Sequence, residues 1–495
     1  MRDLTVDTSK DPVTSDILFA LQLRTANEPL FPRLELFACM NAAEAFIPFI
    51  PSFLSCNITS IYIDFTEGLP VAVVASMITR LSTLCSDLCS ITLNPLPRDP
   101  VITEAVSDMF LTCNRDSLRW FRVDSPLTDE AYEIIFQLPE LSELWVVIQG
   151  HTQIPPVVLP NLSTINLEYD DRLDWLQGFR GVMLGELENV YFTSHSQRIG
   201  DFLGEFTRVA LTTSAPSTLS TFYLNTSWSW DPNYRSLLPL TQLKNLLIES
   251  PCGHCSSRID DSIIMDLAQA MPKLEILKLG DAPCGAERGV TFKGLIALAR
   301  GCRHLSKLRI HFQAASLVAA VTDAGVPASL GDETAVRGQD CVLTDLEVGK
   351  IPIPTDSALT VAMVLLQIFP RLHNIEPMRK EWRDVAENIK LFQRIGSLVQ
   401  RAGKVCLLYR RSSSVMFLQA TRLSMGTQRN NAFRRFSLNI WDRACTVEHR
   451  SKYCQEGRVP SFLVYSLHSV RIMSRLEFVP HSSIASKLPA WSTRG

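Results

Sequence analysis

Cys252-Gly-His-Cys255 is the stretch of this chain that most resembles half of a metal site. Two thiolates two residues apart can hold one side of a zinc tetrahedron, but a structural zinc needs four ligands. The next cysteines, Cys284 and Cys302, form no second pair, and no histidine pair follows at a matching distance. The motif therefore reads as a loop with fortuitous cysteines. GVTFKGL (289–295) carries two glycines of a phosphate-binding loop without the Lys-Ser/Thr that must follow the second. The chain contains no Gly-x-Ser-x-Gly elbow, no His-Glu-x-x-His and no dinucleotide fingerprint. The neighbouring carboxylates Asp170-Asp171 and Asp260-Asp261 read as turn or cap residues rather than a general acid/base pair. The sequence thus predicts a non-enzymatic chain with no catalytic, cofactor or metal site.

The remaining chemistry is recognition, and it depends on a repeat. The pattern apolar-x-x-apolar-x-apolar recurs at Ile58/Ile61/Ile63, Leu88/Ile91/Leu93, Leu118/Phe121/Val123, Leu141/Leu144/Val146, Leu162/Ile165/Leu167 and Leu187/Val190/Phe192. It continues at Leu219/Phe222/Leu224, Leu243/Leu246/Ile248, Leu274/Leu277/Leu279, Leu305/Leu308/Ile310 and Leu343/Leu346/Val348. Weaker copies flank the series at FPRLELF (31–37) and FPRLHNI (369–375). The last two apolar positions of each unit alternate as in a strand with one buried face. Between units lie helical patterns at 66–85, 128–139, 262–272 and 291–302. Thr66, Thr128, Asp261 and Thr291 are placed as N-caps, and Pro139, Pro272 and Pro370 lie just past helix ends. The run ALTVAMVLLQIF (358–369) is too short to span a bilayer and reads as a buried helix.

One strand–helix unit cannot bury its own apolar face, but stacked copies can. The expectation is an α/β solenoid, with a curved parallel sheet inside and helices and loops outside. It would occupy 31–403, after an N-terminal cap or remnant at 1–30 and before a poorly ordered tail at 404–495. On each strand the residue between the last two ladder positions points away from the core. These residues are Tyr62, Thr92, Arg122, Trp145, Asn166, Tyr191, Tyr223, Leu247, Lys278, Arg309 and Glu347. Four of these eleven are aromatic, against 8% of the chain. Large aromatics and arginine anchor protein interfaces. The candidate protein-binding face is accordingly Tyr62, Arg122, Trp145, Asn166, Tyr191, Tyr223, Lys278 and Arg309, with Trp145, Tyr191 and Tyr223 expected as one mid-solenoid cluster. The aromatic loop YLNTSWSWDPNY (223–234) is expected to fold back and cap the core.

Units such as LPELSELWVVI, LPNLSTINLEY, LTQLKNLLIES, MPKLEILKLGD and CRHLSKLRIHF resemble irregular leucine-rich repeats. In particular they resemble those of F-box/leucine-rich-repeat-like proteins of mushroom-forming fungi. That resemblance covers roughly 1–403. It implies a substrate-recognition subunit of a cullin-RING ubiquitin ligase, docked to a Skp-type adaptor through an F-box. No F-box is read in this sequence, so the adaptor is expected as a partner only if one is encoded upstream; otherwise the chain is a relic of such a receptor. The repeat also lacks the usual asparagine ladder, which predicts irregular turns.

Composition narrows the setting. The 495 residues carry a net charge of −3 and 13 scattered cysteines, which fits a reduced cytoplasmic or nuclear compartment. The first residues have no apolar signal region, so the sequons at Asn57, Asn161 and Asn225 read as chance, and no membrane partner is expected. Residues 404–495 hold 15 Lys and Arg against four Asp and Glu, leaving 33 basic and 47 acidic residues in 1–403. Such a tail could bind nucleic acid, pair with the acidic body, or be out-of-frame translation appended to the solenoid. The abrupt change of character favours the last. A long surface loop is expected within 312–342.

Overall fold

The structure of the chain is a computed structural model. It describes residues 1–9, 19–20, 23, 29–112, 115–148, 158–169, 183–184, 186–195, 202–212, 217–227, 232–250, 259–280, 289–316, 318, 341–349, 351–354, 356–377 and 380–408. The chain divides into two units, Met1–Leu391 and Phe392–Gly495. The first holds a 14-stranded, all-parallel sheet.

Its strands are β1 (Asp3–Asp7), β2 (Leu36–Ala42), β3 (Ser60–Phe65), β4 (Ser90–Asn94), β5 (Trp120–Pro126) and β6 (Glu143–Ile148). They continue with β8 (Thr164–Tyr169), β10 (Asn189–Ser194), β11 (Thr221–Thr226), β12 (Asn245–Glu249), β13 (Ile276–Leu279), β14 (Lys307–Arg309), β15 (Asp345–Gly349) and β16 (Asn374–Pro377). A separate two-stranded sheet pairs β7 (Val158–Leu159) with β9 (Met183–Leu184). Apart from that pair, spatial order is chain order, so each strand returns to lie beside its predecessor. The return paths carry α1 (Val71–Leu84), α2 (Pro100–Thr112), α3 (Asp129–Ile135), α4 (Phe202–Thr212), α5 (Asp261–Ala270), α6 (Phe292–Gly301) and α7 (Ala358–Ile368). A final helix, α8, runs Lys380–Leu408 and crosses into the second unit. The result is a curved α/β solenoid.

The aliphatic ladder is its core. Every residue of the eleven repeated triplets is buried, none more than 5% exposed. So are Leu34, Phe37, Leu372 and Ile375 of the flanking copies. Successive ladder positions are register neighbours: Ile61 pairs with Ile91, Ile91 with Phe121, Leu246 with Leu277 and Leu277 with Leu308. Aromatic rings fill the space between ladder and helices. Phe110 of α2 meets Phe121 edge-on at 5.3 Å, and Phe206 of α4 lies 4.7 Å from Phe222. At the far end Trp382 of α8 is fully buried, meets Phe312 edge-on, and donates its indole N–H to the Ile351 carbonyl at 2.7 Å.

Consecutive turns are joined by hydrogen bonds where the strands begin. The carbonyl following the first ladder residue of one turn accepts two backbone N–H groups from the next turn. Arg119 O accepts from Ser142 and Glu143, Ser142 O from Ser163 and Thr164, and Ser220 O from Lys244 and Asn245. Where that position holds Ser or Thr, its hydroxyl donates to the preceding turn as well. This occurs at Thr59, Ser142, Ser163, Ser220, Ser306 and Thr344, over 3.0–3.3 Å. Two sequon asparagines do similar work: Asn57 Nδ2 donates to Pro32 O and Asn161 Nδ2 to Pro139 O, each at 2.7 Å.

Two expected caps are corrected. Thr66 does not cap a helix; its hydroxyl faces Ala42 O at 3.3 Å. The chain then turns at Gly68 with φ +82°, and α1 starts only after Pro70, whose fixed φ suits the first turn. The N-cap of α5 is Asp260, not Asp261; its carboxylate accepts from Ile263 N at 3.0 Å. Asp261 reaches instead to the next helix, accepting from Thr291 N (2.7 Å), Thr291 Oγ1 (2.5 Å) and Gly294 N (3.1 Å). Thr128 and Thr291 cap α3 and α6 as expected. GVTFKGL is therefore structural: Val290 bridges Phe312, and Gly294 makes room for Val290 and Asp261.

Candidate protein-binding face

Parallel pairing in constant register turns an alternating sequence into straight rows. The row expected to point away from the core is one continuous line. Tyr62 pairs with Thr92, Thr92 with Arg122, Arg122 with Trp145, Trp145 with Asn166, and Asn166 with Tyr191. The line continues from Tyr191 to Tyr223, Leu247, Lys278, Arg309 and Glu347. All are half-buried except Arg122, which is exposed.

Within the row, three groups of side chains behave differently. At β5–β6 the Arg122 guanidinium carbon sits 3.4 Å above the Trp145 ring centroid, a cation–π stack. Burial lowers the Arg122 pKa, opposed by Tyr62, Asp124 and Glu143. At β10–β11 the Tyr191 and Tyr223 rings lie 6.1 Å apart, and the Tyr223 hydroxyl donates to Glu249 Oε2 at 2.9 Å. The single cluster expected of Trp145, Tyr191 and Tyr223 is thus two groups. Asn166 of β8 lies between Trp145 and Tyr191, so these rings stand two strands, roughly 10 Å, apart.

At β12–β15 charges pair across the sheet. Lys278 Nζ lies 2.5 Å from Glu347 Oε1, reaching past β14. Arg309 binds Glu249, reaching past β13, and its Nε lies 3.3 Å from Glu347 Oε2. These side chains are 18–28% exposed. Both cations predicted as binding residues here are occupied by the protein's own carboxylates.

The neighbouring rows complete the face. Two positions before Arg122 stands Trp120, 53% exposed and register-paired with Glu143. It was not among the predicted residues, although strict alternation along β5 places Trp120, Arg122 and Asp124 on one side. The Asp124 carboxyl is pushed up to about 6, first by burial and then by Glu168, against the Leu96 N–H it accepts at 2.7 Å and the charge of Arg98. Glu168 accepts from Arg98, and His195 bridges Glu168 Oε1 (3.1 Å) and Ser227 Oγ (2.9 Å). On the other rim Asn189 Nδ2 donates to Thr164 Oγ1 and Asn245 Nδ2 to Thr221 Oγ1. The face thus presents aromatic rings, carboxylates and guanidinium groups.

Among the described residues no group of three or more His, Cys, Asp or Glu is placed to hold a metal ion, and no helix is long and apolar enough to cross a membrane. Asp260 is a helix cap, held below the usual carboxylate range by the Ile263 N–H and the Ser262 hydroxyl. Tyr234 of the aromatic loop is buried. Trp228 and Trp230, the Cys252–Cys255 motif, Asp170-Asp171, most of 312–342 and the tail beyond Leu408 lie outside the described residues.

No protein-family model matches the chain, and no curated protein matches it. Among solved structures, a Bacteroides fragilis protein determined by a structural-genomics consortium is similar over 50% of this chain and 64% of its own, at 12% identity and a TM-score of 0.26. This chain therefore matches less than two thirds of that protein's length.

Proposed function

We propose that this chain is a non-enzymatic protein-binding solenoid. It would act in the cytoplasm or nucleus as the substrate-recognition subunit of a cullin-RING ubiquitin ligase, or as a relic that kept the recognition surface. The observation that carries the scaffold reading is the unbroken register row from Tyr62 to Glu347 along the solvent face of one parallel sheet. Its rings and guanidinium groups are residue types that dominate interface energetics. The ligase assignment rests on the likeness of the repeats to F-box/leucine-rich-repeat-like proteins.

Affinity capture of the tagged protein, expressed from its own locus, tests both levels. Recovery of a Skp-type adaptor together with other proteins supports the ligase receptor. Partners recovered without the adaptor leave a scaffold and remove the ligase role. Partners whose capture is unaffected by substitutions on the inner face remove the recognition surface as well. A second reading, a nucleic-acid-associated scaffold, draws on the excess of 15 basic over four acidic residues in 404–495. Binding of that kind would fall steeply as salt rises, unlike an aromatic-centred protein interface.

A further inference from the structure

The two ends of the inner face differ in what their charges have left to do. From β12 to β15, Glu249, Lys278, Arg309 and Glu347 satisfy one another. From β3 to β6 the acids outnumber the cations. The strands there carry Asp64, Arg122, Asp124 and Glu143, and Arg98, just past β4, is bonded to Glu168 and also acts on Asp124, leaving four carboxylates to two guanidinium groups. The Arg122 guanidinium is held over Trp145. At the N-terminal rim of the same face Trp120, the first residue of β5, presents a ring more than half open to solvent. An exposed tryptophan whose register partner is a carboxylate has the chemistry of a cation receptor: the ring face attracts a guanidinium or ammonium group, and Glu143 supplies the charge.

We propose that the β3–β6 patch, which runs from Trp120 and Glu143 at one rim past Tyr62 to Asp64 and Asp124 in the opposite row, docks a short extended segment of a partner protein bearing arginine or lysine. The proposal rests on the scaffold reading above and adds the chemical class of what is bound. Charge complementarity selects the occupant, since the acidic excess repels nucleic acid and acidic peptides. Geometry sets its length. Four strands span about 14 Å, roughly four extended residues. A cation seated over Trp120 lies next to Glu143, its register partner, and on the same strand face as Asp124. Arg122 is retained on Trp145, so the incoming cation adds to the face without displacing it.

The test is fluorescence anisotropy with two labelled eight-residue peptides of identical spacing, one carrying arginine and the other glutamate, titrated with the full chain. The arginine peptide is expected to bind and the glutamate peptide to show no saturable binding. Trp120→Ala and Glu143→Gln should each weaken the arginine peptide about tenfold, while Trp120→Phe retains most of the affinity. Both substituted side chains are solvent-exposed, and circular dichroism verifies that each variant is folded. The proposal is overturned by equal binding of the glutamate peptide, by affinity unchanged in Trp120→Ala, or by an oligonucleotide that competes at the patch. Self-association abolished by Trp120→Ala would also overturn it, since a second copy would then be the occupant. If natural partners are lost in Trp120→Ala yet the arginine peptide never binds, the cationic class fails while the protein-binding scaffold stands.

Discussion

Replacing Asp124 by asparagine should make the protein more stable at neutral pH, not less. Strand β5 withdraws this carboxyl from water, and Glu168 adds a second negative charge nearby. One backbone N–H, from Leu96, and the charge of Arg98 do not compensate, so the group titrates at about 6 in the folded chain. In the unfolded chain an aspartate titrates at about 3.9. The folded state therefore binds more protons between those values, and stability contributed by the neutral form is lost as pH rises through that window. Two pKa units correspond to about 3 kcal/mol, and residual solvent contact reduces the expected cost to about 1–2 kcal/mol at pH 7.5. Asparagine removes the charge but keeps an oxygen for the Leu96 N–H. Urea unfolding of both proteins, followed by circular dichroism at pH 4.0, 5.0, 6.0 and 7.5, should show asparagine stabilising by that amount at pH 7.5 and by nothing at pH 4.0. A difference independent of pH, or a variant weaker at pH 7.5, would refute the reasoning. The same substitution should weaken the arginine peptide. A residue that costs stability while serving binding is the expected signature of a functional position.

Two further substitutions probe the packing that holds the face. At Gly301 a methyl group would meet the Ala268 carbonyl oxygen at 2.4 Å, so Gly301→Ala must push α5 and α6 apart. It is expected to cost about 1–3 kcal/mol, read as a lowered urea midpoint with an unchanged slope. Tyr132 is 1% exposed; its hydroxyl donates to Val147 O and accepts the Leu127 N–H at 3.2 Å. Tyr132→Phe strands both backbone groups in the core and should cost about 2–4 kcal/mol by the same measurement, whereas a loss under 0.5 kcal/mol would mean water replaces the hydroxyl.

The parts of this fold that were legible in the sequence are those written in a repeating pattern. Ile61, Leu144, Leu246 and Leu308 are recognisable because each must be apolar at the same point of every turn, and register then carries Tyr62, Arg122 and Tyr223 onto one row. What was not legible depends on donors and acceptors brought together by stacking. Ser142, Ser163 and Ser220, directly after the first ladder residue, carry cross-turn bonds of this kind. Their signal was present as Ser or Thr recurring at one place in the unit. Asp260 and Asp261 are both acidic, and only the path of the chain shows that one caps its own helix and the other the next. Trp120 falls outside a pattern that takes one inward position per strand, because a strand as long as β5 offers three.

The division of the inner face follows from the spacing of its charges. Lys278, Arg309 and Glu347 occupy consecutive places in one row, so opposite charges lie within reach over one or two strands and close on each other. In the earlier strands that row reads Tyr62, Thr92, Arg122, Trp145, Asn166, with a single cation, and the carboxylates Asp64, Asp124 and Glu143 lie in the rows to either side. Arg122 and Arg98, the latter bonded to Glu168, cannot neutralise Asp64, Asp124, Glu143 and Glu168 together, and the seat of Arg122 on Trp145 fixes where it points. The excess negative charge and the open Trp120 ring are therefore properties of the same four strands. A cation brought by another protein would gain the Trp120 ring and Glu143 within a net acidic field, which is the reason for proposing β3–β6 rather than the better-paired end of the sheet as the recognition surface.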